Sequence, residues 1–519
     1  MKTTLALFTA VLFGTAPLFA DAPAKPVATV ASPKGTAVFQ PDWKNLSEHY
    51  QIPEWFKDAK FGIFIHWGVY SVPAYDSEWY PRNMYVKSSK VWKHHLETFG
   101  PHDKFGYKDF IPLFKAEKFD AVEWAALFKE AGAKYVVPVA EHHDGFAMYD
   151  SAHNPWNAVK MGPKKDIIAL LKAAIESEGL IFGLSSHRLE NNWFYNGKLD
   201  KTGLFKGKLD FPSDTLDKTI TLYGQRLARE GYNAAASTDF LAHTRELIDK
   251  YQPQLIWFDW SVHRIRPTFN QFLAYYYNNA LDWGKGVVVN TKTGFPNNIQ
   301  VSDIERGKSA VMKKYPWQTD TSVGIRSWSH VNFEKNKTPQ QIVHDLVDIV
   351  SKNGNLLLNI GPKADGTITD EQKKVLRSIG QWLKVNGEAI YGTRVWIKFG
   401  EGGTKGTSGG FSDSRVIRYS KADLRFTSKG DALYVIALGW GDSLLVKSLD
   451  KKTLADAKLL DVTLLGAEGK LQWEQTDGGL KITLPAKPPC EYAYAVKLTF
   501  DKPVGAHLPH DWEDKSFKY

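Results

Sequence analysis

The segment KFDAVEWAALFKEAGAKYVVPVAEHHDGF, residues 118–146, holds one unit of the pattern that most limits how this chain can fold. Asp120 can cap a helix, and Glu123 stands where a capping box places its acid. Trp124, Leu127, Phe128 and Ala131 then share one helical face. Gly132 ends the helix, and the apolar run over 135–140 reads as a strand. KKDIIALLKAAIESEGLIFGLSSH repeats the grammar, with apolar positions 167, 168, 171, 174 and 175, a stop at Gly179 and a strand from Leu180. In TPQQIVHDLVDIVSKNGNLLLNIGP, Thr338 caps, Pro339 opens, Gly354 closes and 356–360 is the strand. Thr369 and Gln372 cap a last helix over 369–386.

Further strands are expected at 60–68, 254–260, 286–291, 299–305 and around Trp317. Short, β-branched, wholly apolar strands reached mostly through helices imply a parallel sheet covered on both faces. A count of about eight over roughly 350 residues fits a closed (β/α)8-like TIM barrel better than an open sheet. The barrel is assigned to 46–396. From 397 to 519 short alternating segments separated by Gly, Lys and Asp turns predict a C-terminal antiparallel β-sandwich.

Residues 1–22 read as a secretory signal peptide: Lys2, an apolar stretch over 5–13, and small residues recurring over 16–22. Residues 23–45 are Ala/Pro/Lys-rich and read as a linker. No later apolar run reaches the ~18 residues of a membrane span, so no membrane insertion is expected. The single cysteine, Cys490, rules out an intramolecular disulfide and a cysteine-cluster metal site. An exported chain without disulfides suits a periplasmic or secreted enzyme. The net charge is +9, but no Lys/Arg run or nucleic-acid motif accompanies it, which argues against a nucleic-acid partner. Aromatics reach 13%, with 18 Trp, a surplus that serves either a core or a sugar site.

Polar residues gather at the expected strand ends: IHWG at 65–68, SEWY at 77–80, AEHHDGF at 140–146, WFDW at 257–260 and SDIERG at 302–307. Barrel enzymes build active sites there. Strand alternation puts Trp257 and Asp259 on one face, although Asp259 could equally cap the next turn. Asp303 and Glu305 also share a face. Paired carboxylates are what glycoside hydrolysis requires, while ordinary pairing with Arg306 or Lys308 is the plainer alternative. His142 and His143 could bind Zn²⁺, but neighbours on an extended strand point apart, so hydrogen bonds to substrate hydroxyls suit them better. His66 is either a satisfied core histidine or a strand-end donor.

The segments KFGIFIHWGVYSVPAYDSEWY, YVVPVAEHHDGFAMYDS, LIWFDW, PWQTDTSVGIRSWSH and the stretch from LVDIVSKNGNLLLNIGP through AIYGTR together resemble the α-L-fucosidases of glycoside hydrolase family 29. The resemblance spans about 46–396, and the terminal β domain suits the family's sandwich. It implies a retaining, exo-acting enzyme that removes terminal α-L-fucose from oligosaccharides or polysaccharides without metal or cofactor. It implies Asp259 as nucleophile, and His66, Glu78, Trp79, His142, His143 and Trp257 as sugar-binding residues.

The acid/base shifts position within the family. Some members carry Trp-Glu where this chain has Trp317 and Gln318, and glutamine cannot transfer a proton in that way. Glu305 is the best local substitute and Asp303 the second. A retaining mechanism needs that carboxyl ~5–5.5 Å from Asp259 and protonated at the start. Ser185 and Ser186 replace the tyrosines of a GLYYS-like run, which makes His187 a candidate binding residue. The positive charge suits fucose-bearing, sulfated polysaccharides. Open alternatives are an α-L-galactosidase on the same scaffold, a carbohydrate-binding protein that has lost its acid, and a metal-dependent hydrolase.

Overall fold

The computed structural model describes residues 38–513 except 196–210, 226, 228–230, 293 and 405. The expected signal peptide and most of the expected linker lie outside the described residues. Packing begins earlier than the expected Leu46. Phe39 is buried, and Asn278 Oδ1 accepts from the backbone N–H of Val38 and Phe39 at 3.0 and 3.1 Å.

Eight strands, all paired in parallel, close into a barrel: β1 Phe61–Ile65, β2 Tyr135–Glu141, β3 Ile181–Ser186, β4 Leu255–Phe258, β5 Val288–Thr291, β6 Val301–Asp303, β7 Trp317–Ser322 and β8 Gly354–Ile360. All but β3 and β6 are buried along their whole length, as expected of strands with a packed barrel interior inside and helices outside. Helices Ile167–Ser177, Ala234–Tyr251, Arg266–Trp283, Pro339–Ser351 and Asp370–Asn386 supply the outer layer. Among the described residues no helix separates β5 from β6 or β6 from β7, so the last strands before β8 are joined by loops.

Local chemistry accounts for the helix ends. Asp120 accepts from Val122 N and Glu123 N, and Thr338 with Gln341 forms a reciprocal capping box behind Pro339. The stop after Pro339–Ser351 differs from expectation. Asn353 takes the left-handed φ of 73°, and Gly354 is already the first residue of β8. Gly354 serves a different purpose there: a Cβ on it would lie 2.6 Å from the Trp317 ring. Inside the barrel, Tyr135 donates to Gln318 Oε1 at 2.8 Å, and Gln318 Nε2 donates to Asp303 at 2.7 Å. The glutamine that replaces an expected acid is therefore part of a buried polar layer.

The C-terminal strands form two antiparallel sheets. One has the order Gly400–Glu401, Leu424–Lys429, Ala432–Ala437, Tyr494–Phe500, Leu459–Leu464, and the other Ser443–Val446, Gly479–Thr483, Trp473–Thr476. Phe426, Val435 and Leu498 from the first share one core with Leu444, Val446 and Ile482 from the second, which makes a sandwich. The sandwich meets the barrel through buried charge: Asp348 of helix Pro339–Ser351 accepts from Lys352 Nζ at 2.8 Å and from Arg425 Nε at 2.6 Å. These opposite charges overcome the burial that would push Asp348 up, and its carboxyl stays well below the usual range. Removing one member of such a group strands the others without a partner. Asp348→Ala should therefore lower the denaturant midpoint by the equivalent of ~3–5 kcal/mol; an unchanged midpoint would show that this ion group does not hold the two parts together.

Candidate active site

The pocket at the C-terminal ends of the strands is lined by His66, Glu78, Trp79, His142, His143, His187, Trp257, Asp259, Trp260, Lys292, Glu305, Asp320 and Trp328. Sequence reasoning singled out nine of these; of the expected site residues, Asp303 is the one left out of the lining. Asp259 follows β4 directly, so the alternation that buries Phe258 outward turns Trp257 and Asp259 together into the pocket.

Asp259 is buried and compensated on both oxygens. Oδ1 accepts from Lys292 Nζ, and Oδ2 lies 3.0 Å from His143 Nε2 and 3.3 Å from His187 Nδ1. Burial pushes the carboxyl up, but the Lys292 charge and the two histidine contacts outweigh it and hold Asp259 well below the usual carboxylate range. Lys292 Nζ also donates to Glu305 Oε2 at 2.6 Å. Two oxygens bound to one nitrogen lie no more than about two hydrogen-bond lengths apart, ~5.5 Å. Lys292 further sits 5.0 Å from the Trp257 ring centre and 5.3 Å from that of Trp260. Burial lowers the Lys292 pKa, but Asp259 and Glu305 reverse this and raise it above the usual lysine range.

The tautomer of His187 follows from its partners. A carboxylate only accepts, so Nδ1–H points at Asp259, and Nε2 accepts from Ser185 Oγ at 2.7 Å. Ser185, which departs from the family's tyrosine, thereby orients His187. The same logic fixes His66: Asn359 donates through Nδ2 to Trp328 O and Ser322 Oγ at 2.6 and 3.0 Å, so its Oδ1 accepts from His66 Nδ1–H at 2.7 Å. This leaves the His66 Nε2 lone pair for a hydroxyl donor. Glu78 accepts from Trp328 N–H at 3.0 Å, and burial raises its pKa.

Two expectations need correction. His142 and His143 do not diverge: β2 ends at Glu141, the chain turns, and both rings line the pocket with centroids 4.3 Å apart. Asp303 and Glu305 do not share a face, because β6 ends at Asp303 and Arg306 takes a φ of 45°. Asp303 turns to Gln318 in the barrel interior, where burial raises its carboxyl to about 6. Glu305 faces Lys292.

Lys292, Trp260, Asp320 and Trp328 were given no role, although Lys292 directly follows an expected strand, Trp260 closes the WFDW cluster, and Asp320 and Trp328 lie within PWQTDTSVGIRSWSH. Two histidine groups, His66–His142–His187 and His143–His187–Asp259, bring ligand atoms within 4.8 Å. Both ring nitrogens of His187 are already engaged, so an ion there would have to break a hydrogen bond.

A closed barrel whose mouth joins two carboxylates through one ammonium, among indoles and imidazoles, has the equipment of a glycoside hydrolase. The family model described as Alpha-L-fucosidase matches residues 27–388, and that described as Alpha-L-fucosidase C-terminal domain matches 419–499. The chain is 33% identical to tissue alpha-L-fucosidase of Rattus norvegicus, over 89% of this chain and 92% of that one. It is 33% identical to plasma alpha-L-fucosidase of Homo sapiens, with the same coverage of each. The crystal structure of Thermotoga maritima alpha-fucosidase superposes with a TM-score of 0.70 at 32% identity, covering 89% of this chain and 100% of that one. The chain belongs to the α-L-fucosidase family.

Burial lowers His187 from 6.5 to about 4. Between these values the unfolded chain binds a proton that the folded chain refuses. Its share of stability is complete above about 6.5, falls with pH, and levels off below about 4. The denaturant midpoint of His187→Gln should fall less steeply than that of the wild type across this window; equal slopes would show that His187 titrates normally.

Proposed function

We propose that the protein is a retaining, exo-acting α-L-fucosidase that releases terminal α-L-fucose from fucosylated glycans, with Asp259 as nucleophile and Glu305 as acid/base. The observation that carries this reading is the sharing of Lys292 by the two carboxylates, which keeps their facing oxygens within ~5.5 Å, nearer to the spacing of retaining than of inverting enzymes. Asp259 attacks the anomeric carbon and forms a β-fucosyl ester, while Glu305 gives its proton to the departing glycosidic oxygen. Glu305 then takes a proton from water, which attacks the same carbon and releases α-fucose. Lys292, His143 and His187 keep Asp259 ionised and oriented for the first step.

In this reading His66 Nε2 accepts from a sugar hydroxyl. His142 Nδ1, buried without a partner among the described residues, is suited to a ligand hydroxyl. Trp79 and Trp257 offer apolar surface to the ring and methyl group of a deoxy sugar. The pocket is narrow: water centres have about 20 Å³ in it, against the ~10–15 Å³ that one water needs. We assign the protein to the periplasm or the exterior on the strength of the leader at residues 1–22. No helix of the described residues is long and apolar enough to cross a membrane.

The test is hydrolysis of an aryl α-L-fucoside with azide rescue. Asp259→Ala should lose roughly 10⁴-fold or more in kcat and yield β-fucosyl azide. Glu305→Ala should lose ~10²–10⁴-fold with a poor leaving group and yield α-fucosyl azide. Near-normal turnover by Glu305→Ala would move the acid/base elsewhere, and a wild type that binds fucose without turnover would favour a binding protein. Lys292→Met removes the charge that keeps Asp259 ionised. The acid limb of its kcat/KM profile should therefore move ~1–3 units to higher pH; an unmoved limb would show that Lys292 does not set the charge of the nucleophile.

A further inference from the structure

Glu305 stands outside the barrel ladder. Its neighbours are tied to β7, with Ile304 N–H on Gln318 O at 2.9 Å and Arg306 N–H on Asp320 O at 2.8 Å. Glu305 is the residue between them, and Arg306 after it holds a left-handed φ of 45° that a non-glycine residue keeps only under constraint.

The constraint comes from a segment more than 90 residues later in the chain, where Phe411 N–H donates to Glu305 O at 2.9 Å. Ser412 N–H and Asp413 N–H both donate to Arg306 O, at 2.7 and 3.0 Å. Gly409 and Lys308 exchange two backbone bonds of 2.9 and 3.3 Å. The contact is backbone on backbone, since a Cβ on Gly307 would lie 2.2 Å from Gly409 O.

The Asp413 carboxylate locks this arrangement. It is buried, 3.3 Å from Arg306 Nε and 2.8 Å from Lys337 Nζ, and accepts from Thr321 Oγ1 of β7. Arg306 passes the constraint on: Nη2 donates to Ile325 O at 2.6 Å, and the guanidinium lies 5.1 Å from the ring centre of Trp328, whose backbone N–H binds Glu78. Residues 409–413 fall between the two family-matched regions, 27–388 and 419–499.

We propose that Asp413, through Arg306 and the backbone of 409–413, is a positioning residue for Glu305, so that the segment leading into the C-terminal sandwich sets the acid/base of the barrel. This rests on the reading of Glu305 as acid/base. Asp413 is not among the residues that line the pocket, and its side-chain partners are Arg306, Lys337 and Thr321 rather than the Glu305 carboxyl. Its removal frees the Arg306 turn and lets the proton donor drift from the glycosidic oxygen. Misplaced acid catalysis is felt most where the leaving group most needs a proton.

The experiment measures kcat/KM for 2-chloro-4-nitrophenyl and phenyl α-L-fucoside with wild type, Asp413→Ala, Asp413→Asn and Glu305→Ala. Asp413→Ala should lose about 10–100-fold on the phenyl substrate, part of the ~10²–10⁴-fold of full acid catalysis, and less than about 3-fold on the activated one. Asp413→Asn, which keeps the shape and an acceptor for Thr321, should recover part of the phenyl activity. An equal loss on both substrates, or none on either, overturns the proposal. If Asp413→Ala does not fold, Asp413→Asn against wild type decides by the same criterion. Glu305→Ala is the separate check: a loss independent of the leaving group would reject Glu305 as the acid and this inference with it. A leaving-group-dependent loss in Glu305→Ala but not in the Asp413 variants would reject the positioning role alone.

Discussion

A carboxylate almost without access to water has to be compensated where it stands, and Asp259 imposes that requirement at the centre of the barrel mouth. An unpaired ionised carboxyl in such a place would take up a proton instead. Lys292 and two imidazoles prevent this, and two of these groups are themselves held: His187 by Ser185, and Lys292 by Glu305 and two indole faces. Charge compensation thus ties together the ends of β2, β3, β4, β5 and β6. The residues that make Asp259 an anion are also those that define the pocket.

Elsewhere in the barrel the same residue type meets the opposite environment. Asp303 is paired with Gln318 rather than with a cation, and burial raises its carboxyl to about 6. Asp320 is pushed well above the usual range by burial and by Asp303 beside it. Neighbours therefore set the direction: Lys292 and the histidines hold Asp259 below the usual carboxylate range, while burial lifts Asp303 and Asp320 above it.

The sandwich is coupled to this chemistry more closely than an appended domain need be. Arg425 enters the ion group of Asp348 on helix Pro339–Ser351, and the segment before the first long strand of the sandwich reaches the turn that carries Glu305. Each contact contains a buried ion pair, Arg425 on Asp348 and Asp413 on Arg306. These pairs fix geometry strictly, because a displaced partner leaves a charge with no water to take its place.

The sequence by itself determined what depends on near neighbours. Helical faces, caps at Asp120 and Thr338, wholly apolar strands and the barrel that follows from them are written within windows of a few residues. Trp257 and Asp259 were legible for the same reason, since strand alternation carries one residue past β4. Where regular structure stops, so does that rule. His142 and His143 come after the end of β2, and Glu305 after the end of β6, so alternation mispredicts the histidine pair and the Asp303–Glu305 pair alike. Only the tertiary structure decided that Lys292 would join Asp259 to Glu305, that Gln318 would serve the barrel interior, and that Asp413 would hold Arg306. Those pairs lie from 13 to 183 residues apart in the chain. Barrel closure and domain packing bring them together, and short-range periodicity carries no record of which distant charge will neutralise which.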